Sequence, residues 1–213
     1  KTLRAYVETY LKEEIEAEAL TRNIGGFLRF LELAAYENGN VINYSTIARE
    51  TGISYKTVQE YFQILEDTLI GFFLMPYAKS LRKRLIKHPK FYFFDTGVVR
   101  ALKKMLTVEL AEKSYEYGRA FEQFLILEIF RMIKYKETDY ALSFYGSSNQ
   151  AEVDLIVETP KGITYAIEIK SSQQPEFDAL RGLQSFKEIC PKAVLLCACG
   201  APRRRKVKDV DIL

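Results

Sequence analysis

The chain has 213 residues, a formal net charge of +3, 48% apolar residues and 13% aromatics, with no tryptophan. With only 11 Gly and 6 Pro, this composition excludes a disordered or fibrous chain and suits one large domain or two small ones. No signal peptide is expected, and no apolar run comes near the ~18 residues of a membrane span. Cys190, Cys197 and Cys199, two of them inside AVLLCAC, read as reduced thiols in a buried strand, so a cytoplasmic setting without membrane contact is expected.

The opening KTLRAYVETYLKEEIEAEAL reads as the inside of a helix, and the chain as a piece of something longer. Residues 24–37 carry apolar side chains at helical spacing: Phe27, Phe30, Leu31, Ala34 and Ala35. Ser45 is the expected N-cap of the next helix, with Ile47 and Ala48 facing inward and Gly52 as its left-handed terminator. Ser54 caps a further helix whose apolar stripe is Val58, Tyr61, Phe62 and Leu65. Helix, glycine turn and helix at this spacing predict a helix-turn-helix. Tyr55, Lys56, Thr57, Gln59 and Glu60 then open the element that would enter a DNA major groove. Glu60, Glu66 and Asp67 make that helix less basic than a usual DNA reader, which keeps packing or protein contact open as its role.

Two strand-like runs, 69–77 and 90–95, would pair as the wing of a winged helix. Between them lies a basic stretch of Lys79, Arg82, Lys83, Arg84, Lys87 and Lys90. Lys56, Arg82, Lys83, Arg84 and Lys87 are the expected DNA contacts, because clustered cations gain affinity by releasing counterions from DNA. The plainer reading of the stretch is a solvated loop. His88 has no Cys or His neighbour in sequence and reads as structural. A second basic cluster is Arg203, Arg204, Arg205, Lys206 and Lys208.

The pattern loosens around 102–113, which divides the chain into domains at 1–105 and 106–213. A long helix is predicted over 117–134, with Phe121, Phe124, Leu125 and Ile129 mixed with two embedded carboxylates, Glu122 and Glu128. Strands follow at 141–146, 151–159 and 163–172. Side chains alternate along a strand, so Glu168 and Lys170 share a face. Asp154 stands on the preceding strand, as far before the turn Pro160–Lys161–Gly162 as Glu168 stands after it. A tight hairpin brings the two carboxylates together across the ladder. Such a face suits phosphodiester hydrolysis: Asp154 and Glu168 as Mg²⁺ ligands together with the Ile169 carbonyl, Glu122 completing the shell, and Lys170 placing water or stabilising developing charge. E-x-K by itself also fits an ordinary surface ion pair. Beyond it, a helix with Leu180, Leu183, Phe186 and Ile189 leads into the apolar strand AVLLCAC, a parallel crossover. Gln184 on that helix is a candidate contact or an exposed amide. The final DVDIL reads as the start of a strand.

The order GRAFEQFLILEI, NQAEVDLIVET, YAIEIKSS resembles the PD-(D/E)XK nuclease superfamily. More closely, YVETYLKEEI, the helix-turn-helix, KHPKFYFFDTGVVRAL and the EVD and IEIK elements together resemble the DUF4143-type C-terminal region of bacterial and archaeal AAA ATPases. The resemblance implies catalytic positions at Glu122, Asp154, Glu168 and Lys170. It also implies a fused ATPase domain outside this chain, where ATP would bind; no G-x-x-x-x-G-K-[ST] occurs here. The expected fold class is α+β: a helical winged-helix-like domain, then an α/β PD-(D/E)XK restriction-endonuclease-like domain. The expected function is a Mg²⁺-dependent DNA nuclease module, within a homo-oligomer if the ATPase assembles as one. The alternatives are a non-catalytic DNA-binding or sensor module, and a protein-interaction region that assembles the ATPase.

Overall fold

A computed structural model describes residues 2–10, 23–78, 88–147, 151–176 and 180–213. The fold is α+β, with helices concentrated in the N-terminal part and an α/β C-terminal part. The chain divides into two compact units: Lys1–Phe73 with His88–Glu109, and Leu74–Lys87 with Leu110–Leu213.

In the first unit, a short α1 (Thr2–Ala5) runs into a π-turn, and α2 spans Ile24–Tyr36. The helix-turn-helix follows as α3 (Tyr44–Thr51) and α4 (Tyr55–Asp67). Gly52 takes φ 70° between them, the left-handed conformation that the missing Cβ makes inexpensive. Ser54 caps α4 by accepting from the Thr57 N–H at 3.0 Å. The cap of α3 is Asn43, not Ser45: its side chain accepts from the Thr46 N–H at 3.0 Å. Tyr44 is the reason. Its ring is buried and packs edge-on to Phe62 at 5.9 Å, so the helix must already have begun at Tyr44.

Strand β1 (Gly71–Pro76) begins in this unit and neighbours β2 (Lys90–Phe93) in the sheet. The basic residues Lys79, Arg82, Lys83, Arg84 and Lys87 of its expected tip lie outside the described residues. α5 (Thr96–Leu102) follows, capped by Asp95. The core joins Phe27, Phe30, Tyr61, Phe62, Phe91 and Phe93 with aliphatics from α2, α3, α4 and α5. His88 stacks at a tilt on Tyr44, 5.5 Å between centroids.

The second unit opens its globular part with α6 (Tyr115–Tyr135), capped by Ser114. Strands β3 (Ala141–Gly146), β4 (Glu152–Glu158) and β5 (Thr164–Lys170) form an antiparallel meander. α7 (Arg181–Ile189) then crosses to β6 (Val194–Cys199), which is parallel to β5. A hairpin of β7 (Arg205–Val207) and β8 (Val210–Ile212) closes the edge, with β8 parallel to β6. The strand order is β1-β3-β4-β5-β6-β8-β7, and Met75 of β1 pairs in parallel with Ser143.

The core under α7 gathers Ile156, Ala166, Leu183, Phe186, Leu195, Val210 and Ile212. Gly182 permits this close seat: a Cβ there would lie 1.7 Å from the Glu152 carbonyl oxygen. Gln184, read as a possible contact residue, instead donates to Asp209 at 2.9 Å and helps fix the β7–β8 turn.

The long helix turns a different face inward from the one its sequence predicts. Gln123, Ile126 and Leu127 are buried, whereas Phe124 is 50% exposed. Glu128 is not embedded; it is exposed and paired with Arg131 at 2.8 Å. Apolar residues occur all round this helix, so periodicity alone does not fix its rotation.

Candidate active site

Strands β4 and β5 pair as Leu155↔Ile167, Ile156↔Ala166 and Val157↔Tyr165. One step further along the same register, Asp154 faces Glu168. The hairpin is held by the Thr159 N–H donating to the Ile163 carbonyl, by the Ile163 N–H donating to the Thr159 hydroxyl, and by Gly162 at φ 77°. The fixed turn thus converts a spacing in sequence into a pair in space.

Asp154 is oriented by the backbone: the Ile169 N–H donates to its Oδ2 at 2.7 Å. Glu168 is 5% exposed. Its Oε1 accepts from Lys170 Nζ at 2.6 Å, while its Oε2 is buried with no hydrogen-bond partner among the described residues. Lys170 keeps a third of its side chain exposed. It therefore reaches from solvent onto the carboxylate, and the Glu168–Lys170 pair is no ordinary surface ion pair.

Burial pushes the Glu168 carboxyl up to about 8, and the Asp154 charge adds to the rise while Lys170 partly offsets it. Burial opposes the Lys170 ammonium, but Glu168 and Asp154 outweigh it and leave its pKa raised. Glu152 also acts on Glu168. Glu152 stands two residues before Asp154 on β4 and so shares its face, a signal that strand alternation carries in the sequence.

Glu122 lies on α6 with its side chain only 15% exposed, 3.9 Å from Arg119. Among the described residues, no group of three or more His, Cys, Asp or Glu side chains is gathered as a metal cluster. The Asp154–Glu168 pair nevertheless fits a hard divalent cation. It offers anionic oxygens from adjacent strands, one of them a buried oxygen that otherwise goes unsatisfied, and Mg²⁺ keeps several waters rather than demanding a full protein shell. Asp154, Glu168 and the Ile169 carbonyl are the groups that could hold it.

The strand β5 runs on from Lys170 into a cleft of about 510 Å³. Ser171, Ser172, Gln173, Gln174 and Gly200 line it on the sheet side, and Glu112, Lys113, Tyr117 and Phe121 on the helix side. Tyr117 and Phe121 read from sequence only as helix interior. Their place in the cleft depends on how α6 is rotated, which the sequence does not reveal.

Of the expected DNA contacts, Lys56 is in view: its side chain is 85% exposed and pairs with Glu60 at 3.7 Å. The three cysteines are free thiols, with Cys197 buried opposite Glu168 in the β5–β6 ladder. Among the described residues, no helix is long and apolar enough to cross a membrane.

Comparison with known proteins places this geometry in context. Two uncharacterized proteins, Rv2008c of Mycobacterium tuberculosis and Mb2031c of Mycobacterium bovis, are each 24% identical over 170 residues, 80% of this chain. The chain spans only 37% of the length of these curated relatives. Among solved structures, an assembly of Thermococcus gammatolerans McrB AAA+ hexamers with bound McrC shares 14% identity with it. That match covers 89% of this chain and 46% of the other at a TM-score of 0.34, too low to carry an argument. Two family models match in tandem, the Domain of unknown function DUF8612 over residues 1–109 and the Domain of unknown function DUF4143 over residues 117–212. The chain belongs to the DUF8612 family through its N-terminal half, and its C-terminal half matches the DUF4143 model.

Proposed function

We propose that the second unit is a Mg²⁺-dependent, PD-(D/E)XK-type module that hydrolyses phosphodiester bonds in DNA, working within a larger ATPase. The observation that carries this reading is Glu168: a carboxyl group sunk to 5% exposure, opposite Asp154, with one oxygen on Lys170 and the other without a hydrogen-bond partner among the described residues. Burying such a group without full pairing is costly, and it is tolerated where a site needs it.

When bound, Mg²⁺ would polarise the scissile phosphate and acidify a bound water. Asp154, kept in one orientation by the Ile169 N–H, and Glu168 would hold the ion. Lys170 would place its ammonium against charge developing on the phosphate. The DUF4143 match supports the ATPase association. Free thiols support a cytoplasmic setting.

The test is cleavage of linear, branched and single-stranded DNA with Mg²⁺ or Mn²⁺, comparing wild type with Lys170→Ala. Metal-dependent cutting lost in the variant supports the reading. No cutting by a folded wild type, with DNA still bound, would move the assignment to a non-catalytic DNA-binding module. That second reading draws on the helix-turn-helix, with Gly52 ending its first helix, Ser54 capping the second and Lys56 exposed near the start of that second helix.

A further inference from the structure

The cleft beyond Lys170 has a chemistry of its own. Its floor is the end of two parallel strands, since Lys170 pairs with Cys199 and the next residues, Ser171 and Gly200, both line it. In open α/β sheets, ligands gather at such carboxyl ends. One wall is aromatic: Tyr117 and Phe121, one helical turn apart, lie nearly parallel, 17° between planes and 6.5 Å between centroids. The opposite wall is exposed amide and hydroxyl, Ser172, Gln173 and Gln174. A volume of about 510 Å³ suits a nucleotide-sized group.

Basic charge stands at the same edge of the sheet. Arg205 pairs with Ile212, and Ile212 with Cys197, so the exposed run Arg203, Arg204, Arg205 leaves the sheet level with the ends of β5 and β6. Aromatic faces beside a track of arginines are how proteins hold an unpaired strand: bases stack, and cations follow the phosphates.

We infer that this cleft is a single-strand subsite. It takes an unpaired base against Tyr117 and Phe121, and the adjoining phosphates run over Arg203–Arg205. The inference rests on the nucleic-acid reading above and narrows its substrate to DNA with an unpaired or frayed strand.

Binding measured without metal separates this inference from catalysis. Fluorescence anisotropy in EDTA would use the whole chain with a labelled single strand of ~12 nucleotides, within the ~4–16 that such grooves cover. A blunt duplex of the same sequence is the control. Tyr117→Ala is expected to weaken single-strand binding by roughly 5- to 150-fold, the range for losing one stacking partner, and duplex binding by less than about twofold. Tyr117→Phe keeps the ring and should bind as wild type. Replacing Arg203, Arg204 and Arg205 together with Ala should reduce the slope of log affinity against log salt by about 2 for single strands.

Equal affinity of folded Tyr117→Ala for the single strand overturns the inference, as does equal loss on the duplex. A free mononucleotide that binds as tightly as the strand also overturns it. Should Tyr117→Ala misfold, Gln173→Ala with Gln174→Ala on the exposed wall is the second variant, and undiminished single-strand binding by it has the same meaning. Failure of the nuclease reading looks different: the wild type does not cut, yet the single strand still binds through Tyr117.

Discussion

In the first unit the core is a set of interlocking rings: Phe62 alone touches Phe30, Tyr44, Phe73 and Phe91 at centroid distances of 4.8 to 6.2 Å. The second unit is filled mainly with aliphatic side chains on a sheet, yet it sinks a carboxylate at the edge of that core. The first arrangement gains stability from area and ring geometry. The second accepts a desolvation cost at Glu168 that packing does not require. Charge buried against the interest of stability is a mark of a working site. Substitutions should therefore be pH-independent in the first unit and pH-dependent at this point of the second.

The largest effect is expected at the ring core. Phe62→Ala should destabilise the first unit by about 3–5 kcal/mol, with the same loss at pH 5 and pH 9 in urea unfolding. A strongly pH-dependent loss would erase the contrast between the units. Next comes Gly182→Ala, which forces a Cβ against the Glu152 carbonyl. It should cost about 3 kcal/mol and disturb the end of β4 that carries Asp154, read as reduced stability together with altered amide exchange at Glu152 and Asp154. Wild-type stability with native exchange at those amides would show that α7 can shift freely.

Glu168 sharpens the comparison through pH. Its folded-state pKa is raised from 4.5 to about 8 by burial. The unfolded chain thus ionises first, and the stability that Glu168 contributes at low pH is lost as pH rises through that window. Glu168→Gln should flatten this decline and exceed wild type by on the order of 2 kcal/mol above pH 8, at the cost of any metal-dependent activity. Parallel stability curves for the two proteins from pH 4.5 to 9 would show that the buried carboxylate carries no such strain. The smallest effect separates two serines: Ser54→Ala should cost about 1 kcal/mol through its lost cap, and Ser45→Ala close to nothing, because Asn43 does the capping. Equal thermal shifts for the two variants would contradict the assigned caps.

Much of this architecture was legible from local pattern. The glycine turn, the Ser54 cap, the four apolar positions of α4 and the β4–β5 hairpin all depend on residues within a dozen positions of each other. Asp154 and Glu168 were readable as neighbours for the same reason, since a short turn and a period of two leave few registers. The errors fell where burial decides. Ser45 looked like a cap because the inward pull on Tyr44 is a tertiary contact. Glu128 looked embedded because α6 is apolar on several faces, and only its packing against the sheet brings Gln123, Ile126 and Leu127 inside. The β7 strand was hidden within a basic run that reads as surface.

By itself, then, the sequence determined which residues stand together as the candidate site and the strand pairing that aligns them, because both follow from alternation and turn length. Tertiary structure alone decided how deeply Glu168 is buried, that its Oε2 has no partner among the described residues, and that Tyr117, Phe121 and Gly200 line one cleft. Those properties depend on which surfaces exclude water from one another, and that depends on residues far apart in the chain.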